Sequence, residues 1–104
     1  MTEKHTDPSR TDIDQLAGPA LIEFGATDCG YCQRSRPWVD ALMKANPQIS
    51  YFRIEDGKGR RLGRSFGVKL WPTLIFLQEG KEVTREVRPV SQESILQALK
   101  MITD

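Results

Sequence analysis

Cys29 and Cys32 are the only cysteines of this chain and stand two residues apart in Asp28-Cys29-Gly30-Tyr31-Cys32. At this spacing two sulfurs can close a disulfide across one turn. If a helix begins there, the first sulfur lies beside unpaired backbone N–H groups and the positive end of the helix dipole. Both favour the thiolate and lower the Cys29 pKa below that of a free thiol. Such a thiolate attacks a substrate disulfide, and Cys32, one turn further in, then displaces the substrate from Cys29. The chemistry expected is thiol–disulfide exchange, with the sulfur pair itself as the redox group and no other cofactor. The competing readings are two unrelated thiols or a zinc site. Structural zinc needs four ligands, and beyond the pair the chain offers only His5 and scattered carboxylates, so no metal is expected.

For the pair to work, a strand must deliver it and a helix must receive it. Ala20 to Gly25 is a short, mostly apolar run that suits a strand buried on both faces. Thr27 and Asp28 open a turn, and a helix is predicted from about Gly30 to Ala45, with Val39, Leu42 and Met43 as its apolar stripe and Pro37 bending it. Upstream, residues 1–10 read as a flexible polar tail and residues 11–104 as one domain, with Thr11 capping a short helix whose apolar face is Ile13, Leu16 and Ala17. Downstream, Ile49 to Ile54 reads as a strand with Tyr51 and Phe52 facing opposite ways, and Gly57 to Gly67 holds a short helix around Leu62 and Phe66. Thr73 to Gln78 is a second buried strand. Glu79, Gly80 and Lys81 supply a hairpin turn, Glu82 to Arg88 returns as its partner, and Pro89 ends it. Ser91 caps a last helix with Ile95, Leu96, Leu99 and Ile102 on its core face. The early strand–helix–strand unit implies a parallel pair and the late hairpin an antiparallel one. The fold class expected is α/β, a mixed sheet with helices on both faces.

Bulk properties narrow the function classes. The 104 residues suffice for one hydrophobic core. Hydrophobic residues make up 38% and charged residues 28%, ordinary for a folded aqueous domain. A net charge of +1 provides no strong field for nucleic acid or anionic lipid. The basic run Lys58, Arg60, Arg61, Arg64 and Lys69 lacks interleaved aromatics and reads as a solvated helix face. Neither nucleic acid nor membrane is expected as a partner, and no secretory signal or membrane span is legible, so a cytoplasmic monomer is expected.

Three separated motifs carry a family resemblance. Phe24 to Pro37 (FGATDCGYCQRSRP) resembles the active-site segment of the thioredoxin superfamily, Leu70 to Thr73 (LWPT) resembles its cis-proline loop, and Gly80-Lys81-Glu82-Val83 resembles its late hairpin. The resemblance spans about residues 12 to 102 and implies a thioredoxin fold, a central four-stranded mixed sheet ordered 2-1-3-4 and flanked by helices. It also assigns roles. Pro72 would pack beside the cysteines in cis, leaving the Trp71 backbone to pair with an extended substrate strand; the plainer reading is a strand-start proline. Glu23 aligns with the family's buried aspartate and would shuttle a proton to Cys32; the plainer reading is a solvent-facing acid on an edge strand. Tyr31 stands where thioredoxins have proline, so the couple should be less reducing, although Tyr31 reads equally as a surface ring. Gly30, Tyr31, Trp71, Pro72 and Arg88 form the expected substrate-binding set. Gly25 and Asp28 replace the usual tryptophans, and Arg88-Pro89 replaces a glycine-containing turn, so a cation there would narrow or recharge the substrate edge.

The function implied is reduction or exchange of protein disulfides. Electrons would come from a thioredoxin-reductase-type donor or glutathione. A glutaredoxin-like, glutathione-dependent reductase and a non-catalytic interaction module on the same fold remain as alternatives.

Overall fold

The computed structural model describes residues 7–103. Ser9 opens helix α1 (Arg10–Asp14): its hydroxyl accepts from the Asp12 N–H at 3.1 Å, and the Asp12 carboxylate accepts from the Ser9 N–H at 3.0 Å. This reciprocal box places the cap at Ser9 rather than Thr11, whose counterpart three residues on, Asp14, accepts from Arg10 Nε at 3.1 Å instead. Leu16 and Ala17, expected on the helix face, lie past its end. Ser9 and Arg10 belong to this cap and helix, and residues 1–6 of the expected tail lie outside the described residues.

Strand β1 (Pro19–Gly25) leads into helix α2 (Gly30–Ala45), then β2 (Ser50–Glu55), helix α3 (Arg61–Ser65), β3 (Thr73–Gln78), β4 (Lys81–Val87) and helix α4 (Gln92–Thr103). The sheet order is β2-β1-β3-β4, with β1 parallel to β2 and antiparallel to β3, and β3 antiparallel to β4. This is the α/β architecture and strand order expected. Both strands read as buried, β1 and β3, are the two central ones. The hairpin turn is tighter than expected, formed by Glu79 (φ 53°) and Gly80 (φ 77°) alone, so Lys81 pairs with Gln78 in the ladder. Two successive left-handed residues match the twist of the strands they join. At the far end Arg88 leaves the strand with φ 51°, so the partner strand closes at Val87.

Alternation along β1 divides the interior in two. Leu21 faces a core with Val39 and Leu42 of α2, Leu74 and Phe76 of β3, and Ile95, Leu99 and Ile102 of α4. Ala20, Ile22 and Phe24 face the other side, with Ile13, Ile54, Leu62, Phe66, Ile75 and Leu77. Each fully buried Leu, Ile or Phe contributes about 1.5–3 kcal/mol. The consequence for function is parity: Glu23 and Gly25 share the face of Leu21, the side on which α2 lies.

Candidate active site

Cys29 is the N-cap of α2. Its extended backbone (φ −129°, ψ 109°) ends the loop from β1, its carbonyl accepts the Gln33 N–H at 3.0 Å, and its sulfur accepts the Cys32 N–H at 3.1 Å. The sulfur thus takes the place of the capping oxygen that usually satisfies a first-turn N–H. Cys29 and Cys32 are joined as a disulfide, with Cα atoms 5.2 Å apart. Cys29 retains 9% exposure, whereas Cys32 has none. Of the two residues, Cys29 is the one nearer the surface.

Gly25 explains how β1 comes so close. A β-carbon on it would stand 3.1 Å from Cys32 Sγ, tighter than ordinary contact. A larger residue there, as the resemblance would have it, would need the Cys32 side chain to give way by a few tenths of an ångström.

The loop before β3 supplies the opposite wall. The Trp71–Pro72 peptide is cis, and Pro72 is buried. The Trp71 indole N–H donates to Asp56 Oδ2 at 3.0 Å, and Thr73 Oγ1 donates to the Leu70 carbonyl at 2.6 Å, tying the loop to the end of β2 and to itself. The Trp71 carbonyl oxygen lies 3.8 Å from Cys29 Sγ. That oxygen is already in use: Arg88 Nε donates to it at 3.0 Å. The Arg88 guanidinium carbon sits 4.2 Å from the centroid of the Tyr31 ring, and Arg34 approaches the same ring at 5.8 Å while Nη2 donates to the Pro89 carbonyl at 3.2 Å. Tyr31 is 47% exposed, and Gly30 beside it is open to solvent. Gly30, Tyr31, Trp71, Pro72 and Arg88 therefore surround Cys29, with Leu70 and Val90 adding exposed apolar surface on the two loops.

Glu23 lies elsewhere, inside the fold. It is 1% exposed and belongs to a central strand. In the parallel β1–β2 register it sits beside Arg53, with Tyr51 one pleat away on the same face. The Tyr51 hydroxyl donates to Glu23 Oε1, Arg53 Nε donates to the same oxygen at 3.3 Å, and Arg53 Nη2 reaches Asp40 on α2 at 2.8 Å. Burial first, then the Glu23 charge and its hydrogen bond, push the Tyr51 phenol well above its ordinary range, so it stays a donor. For Arg53 burial works against the charged form, but Glu23, Tyr51 and Asp40 more than offset it and hold the guanidinium charged. Glu23 Oε2 and Arg36 Nε are both buried without a hydrogen-bond partner among the described residues. Both residues line a cavity of about 340 Å³, as do Gly25, Thr27, Arg53 and Glu55.

Tyr51, Arg53, Arg34 and Asp56 were not among the residues singled out from sequence. Tyr51 and Arg53 carried a signal, since their spacing of two puts both on the face of Glu23 once the parallel register is known. Arg34 carried one too, since three residues on from Tyr31 in the same helix it lies beside that ring, whereas Asp56 carried none, because only a chain crossing brings it to Trp71. Among the described residues no group of three or more His, Cys, Asp or Glu side chains could hold a metal, and no helix is long and apolar enough to cross a membrane.

Comparison with known proteins agrees with this geometry. The Thioredoxin family model matches residues 2–101. A thioredoxin of Chlamydia muridarum is 32% identical over 87 residues, covering 83% of this chain and 85% of its own length. The reduced form of thioredoxin 2 from Pseudomonas aeruginosa PAO1 superposes with a TM-score of 0.81 at 44% identity, covering 98% of this chain and 96% of that one. Fasciola hepatica thioredoxin, at 22% identity and a TM-score of 0.76 over 86% of each chain, shares the fold. A capped sulfur facing a cis-proline loop, and likeness running through nearly the whole sequence, lead to one conclusion: the chain belongs to the thioredoxin family of thiol–disulfide oxidoreductases.

Proposed function

We propose that this protein reduces disulfides in other proteins, with Cys29 as nucleophile and Cys32 as resolving thiol. The observation that carries the reading is the unequal placement of the two cysteines: Cys29 caps the helix, retains 9% exposure as a residue and receives the Cys32 N–H on its Sγ at 3.1 Å, while Cys32 is fully enclosed. The N–H and the helix end stabilise negative charge on Cys29. In the first step the Cys29 thiolate attacks one sulfur of the substrate disulfide. The substrate S–S bond breaks, a mixed disulfide forms, and the other substrate sulfur leaves as a thiolate. In the second step Cys32 loses its proton and attacks Cys29 Sγ; the mixed disulfide breaks and the second substrate sulfur departs. The substrate gains two electrons and two protons, and Cys29–Cys32 becomes the disulfide.

In this reading Glu23 takes the Cys32 proton through water. Its carboxylate shares a strand face with Gly25, which abuts Cys32, and its free oxygen borders a polar cavity large enough for water. Tyr51 and Arg53 hold that carboxylate in place. Gly30, Tyr31, Trp71, Pro72 and Arg88 form the surface on which the substrate strand lies. A thioredoxin-reductase-type enzyme, or two molecules of glutathione oxidised to their disulfide, returns the two electrons, and no external cofactor takes part. The reading extends to a monomer in a reducing compartment such as the cytoplasm, because both cysteines belong to the reactive pair and none remains for a structural bridge.

Stopped-flow reduction of a protein disulfide tests the scheme. Cys29→Ser abolishes turnover, Cys32→Ser accumulates a mixed disulfide through Cys29, and Glu23→Gln slows resolution without slowing the first attack. Turnover by Cys29→Ser, or a Cys29 thiol no more acidic than a free cysteine, would overturn it.

A further inference from the structure

Arg88 adopts a conformation that the exchange chemistry does not require. Its φ of 51° is left-handed, which an arginine occupies at a steric cost that glycine would not incur. The backbone N–H still closes the end of the hairpin by donating to the Pro72 carbonyl at 2.9 Å. From there the side chain turns back over the site, with Nε on the Trp71 carbonyl at 3.0 Å and the guanidinium over Tyr31. Arg34 brings a second cation to the same ring. Among the described residues neither guanidinium has a carboxylate within ion-pair distance, although Arg10, Arg60 and Arg85 each have one and Arg53 has two. Both charges at the rim rest on carbonyl oxygens and ring faces alone.

The Trp71 carbonyl is also the acceptor that a paired substrate strand would use. We propose that Arg88 is a specificity-determining residue that favours protein disulfides whose reacting cysteine is flanked by aspartate or glutamate; this rests on the Cys29 exchange reading. A strand that pairs with Trp71 displaces Arg88 Nε from the carbonyl. A carboxylate on that strand then gives the released guanidinium an acceptor stronger than the one it lost, because both partners are charged. A lysine or arginine in the same place meets two unpaired cations. Leu70 and Val90 cover the apolar part of either strand alike, so discrimination by charge falls to Arg88, with Arg34 as a weaker second contributor.

The test uses the full reduced chain and three disulfide peptides of one neutral sequence, differing only in Glu, Gln or Lys beside the reacting cysteine. Second-order reduction rates are measured at about 0.02 M and about 0.5 M salt. The wild-type protein should prefer the Glu over the Lys peptide by about fivefold at low salt, and the ratio should shrink at high salt. Arg88→Met should cut the low-salt ratio to about twofold or less, and Arg88→Glu should invert it. Equal wild-type rates for the Glu and Lys peptides, or an undiminished ratio in Arg88→Met, would overturn the proposal. The Gln peptide keeps the two readings apart: its reduction without any charge preference sinks only the role of Arg88, whereas its failure to react sinks the Cys29 chemistry.

Discussion

Two polar assemblies flank the reactive pair, and they are built on opposite principles. Beneath α2, Glu23 is enclosed and held by side chains: a tyrosine that stays protonated, an arginine that stays charged, and Asp40 beyond it. At the rim, Arg88 and Arg34 are held by carbonyls of the loops and by the face of Tyr31. The inner set pairs charge with charge around a carboxylate that is itself buried. The outer set leaves its cations without carboxylates, where a visiting chain can supply one. The inner assembly should therefore govern stability and proton traffic, and the outer one selection of substrate.

Making the same change in both places is the sharpest way to break that contrast. Arg53→Met should destabilise the oxidised protein by about 2 kcal/mol in urea unfolding, less than for a fully buried pair because Arg53 is partly exposed. Arg88→Met should cost under about 1 kcal/mol. Equal losses would show that burial does not separate the two regions. The tyrosines offer a second matched pair. Tyr51→Phe removes a donor from a buried carboxylate and should cost about 1–2 kcal/mol, whereas Tyr31→Phe should stay within about 0.5 kcal/mol.

A pH series sharpens the same point. The native state holds the Tyr51 proton more tightly than the unfolded chain, whose tyrosines ionise near the ordinary value of about 10. The stability from this group is complete below that pH and declines as pH rises above it, when only the unfolded chain gains from ionisation. The gap in unfolding free energy between wild type and Tyr51→Phe should therefore narrow above about pH 10. A gap constant through that window would mean that Tyr51 does not hold its proton against Glu23. The smallest effect belongs to Arg88→Gly. Relief of the left-handed backbone is worth about 1 kcal/mol, and loss of the bond to Trp71 and the stack on Tyr31 about as much, so unfolding should shift by under about 0.5 kcal/mol.

Legibility followed the range of the interactions involved. Period-two and helical patterns are local, so β1, α2, β3 and the apolar face of α4 could be read directly, and the hairpin was misplaced by only one residue because Glu79 and Gly80 make the whole turn. The α1 cap was misread because Ser9 and Thr11 are both followed three residues on by an aspartate, and only the contacts made in the fold, Asp12 with Ser9 and Asp14 with Arg10, choose between them. The motifs around Cys29, Cys32 and Pro72 were legible for the same reason, each being contained in a few consecutive residues.

Glu23 marks the boundary between the two kinds of information. By itself the sequence determined an acid inside an apolar strand and two cysteines at a helix start, since residue type and spacing are written along the chain. Only the tertiary structure decided the register that lays Arg53 and Tyr51 beside the carboxylate, and that Arg88 closes over the Trp71 carbonyl. Those contacts join residues 17 to 30 positions apart, and which side chains meet across that distance depends on strand order and register, which no local pattern specifies.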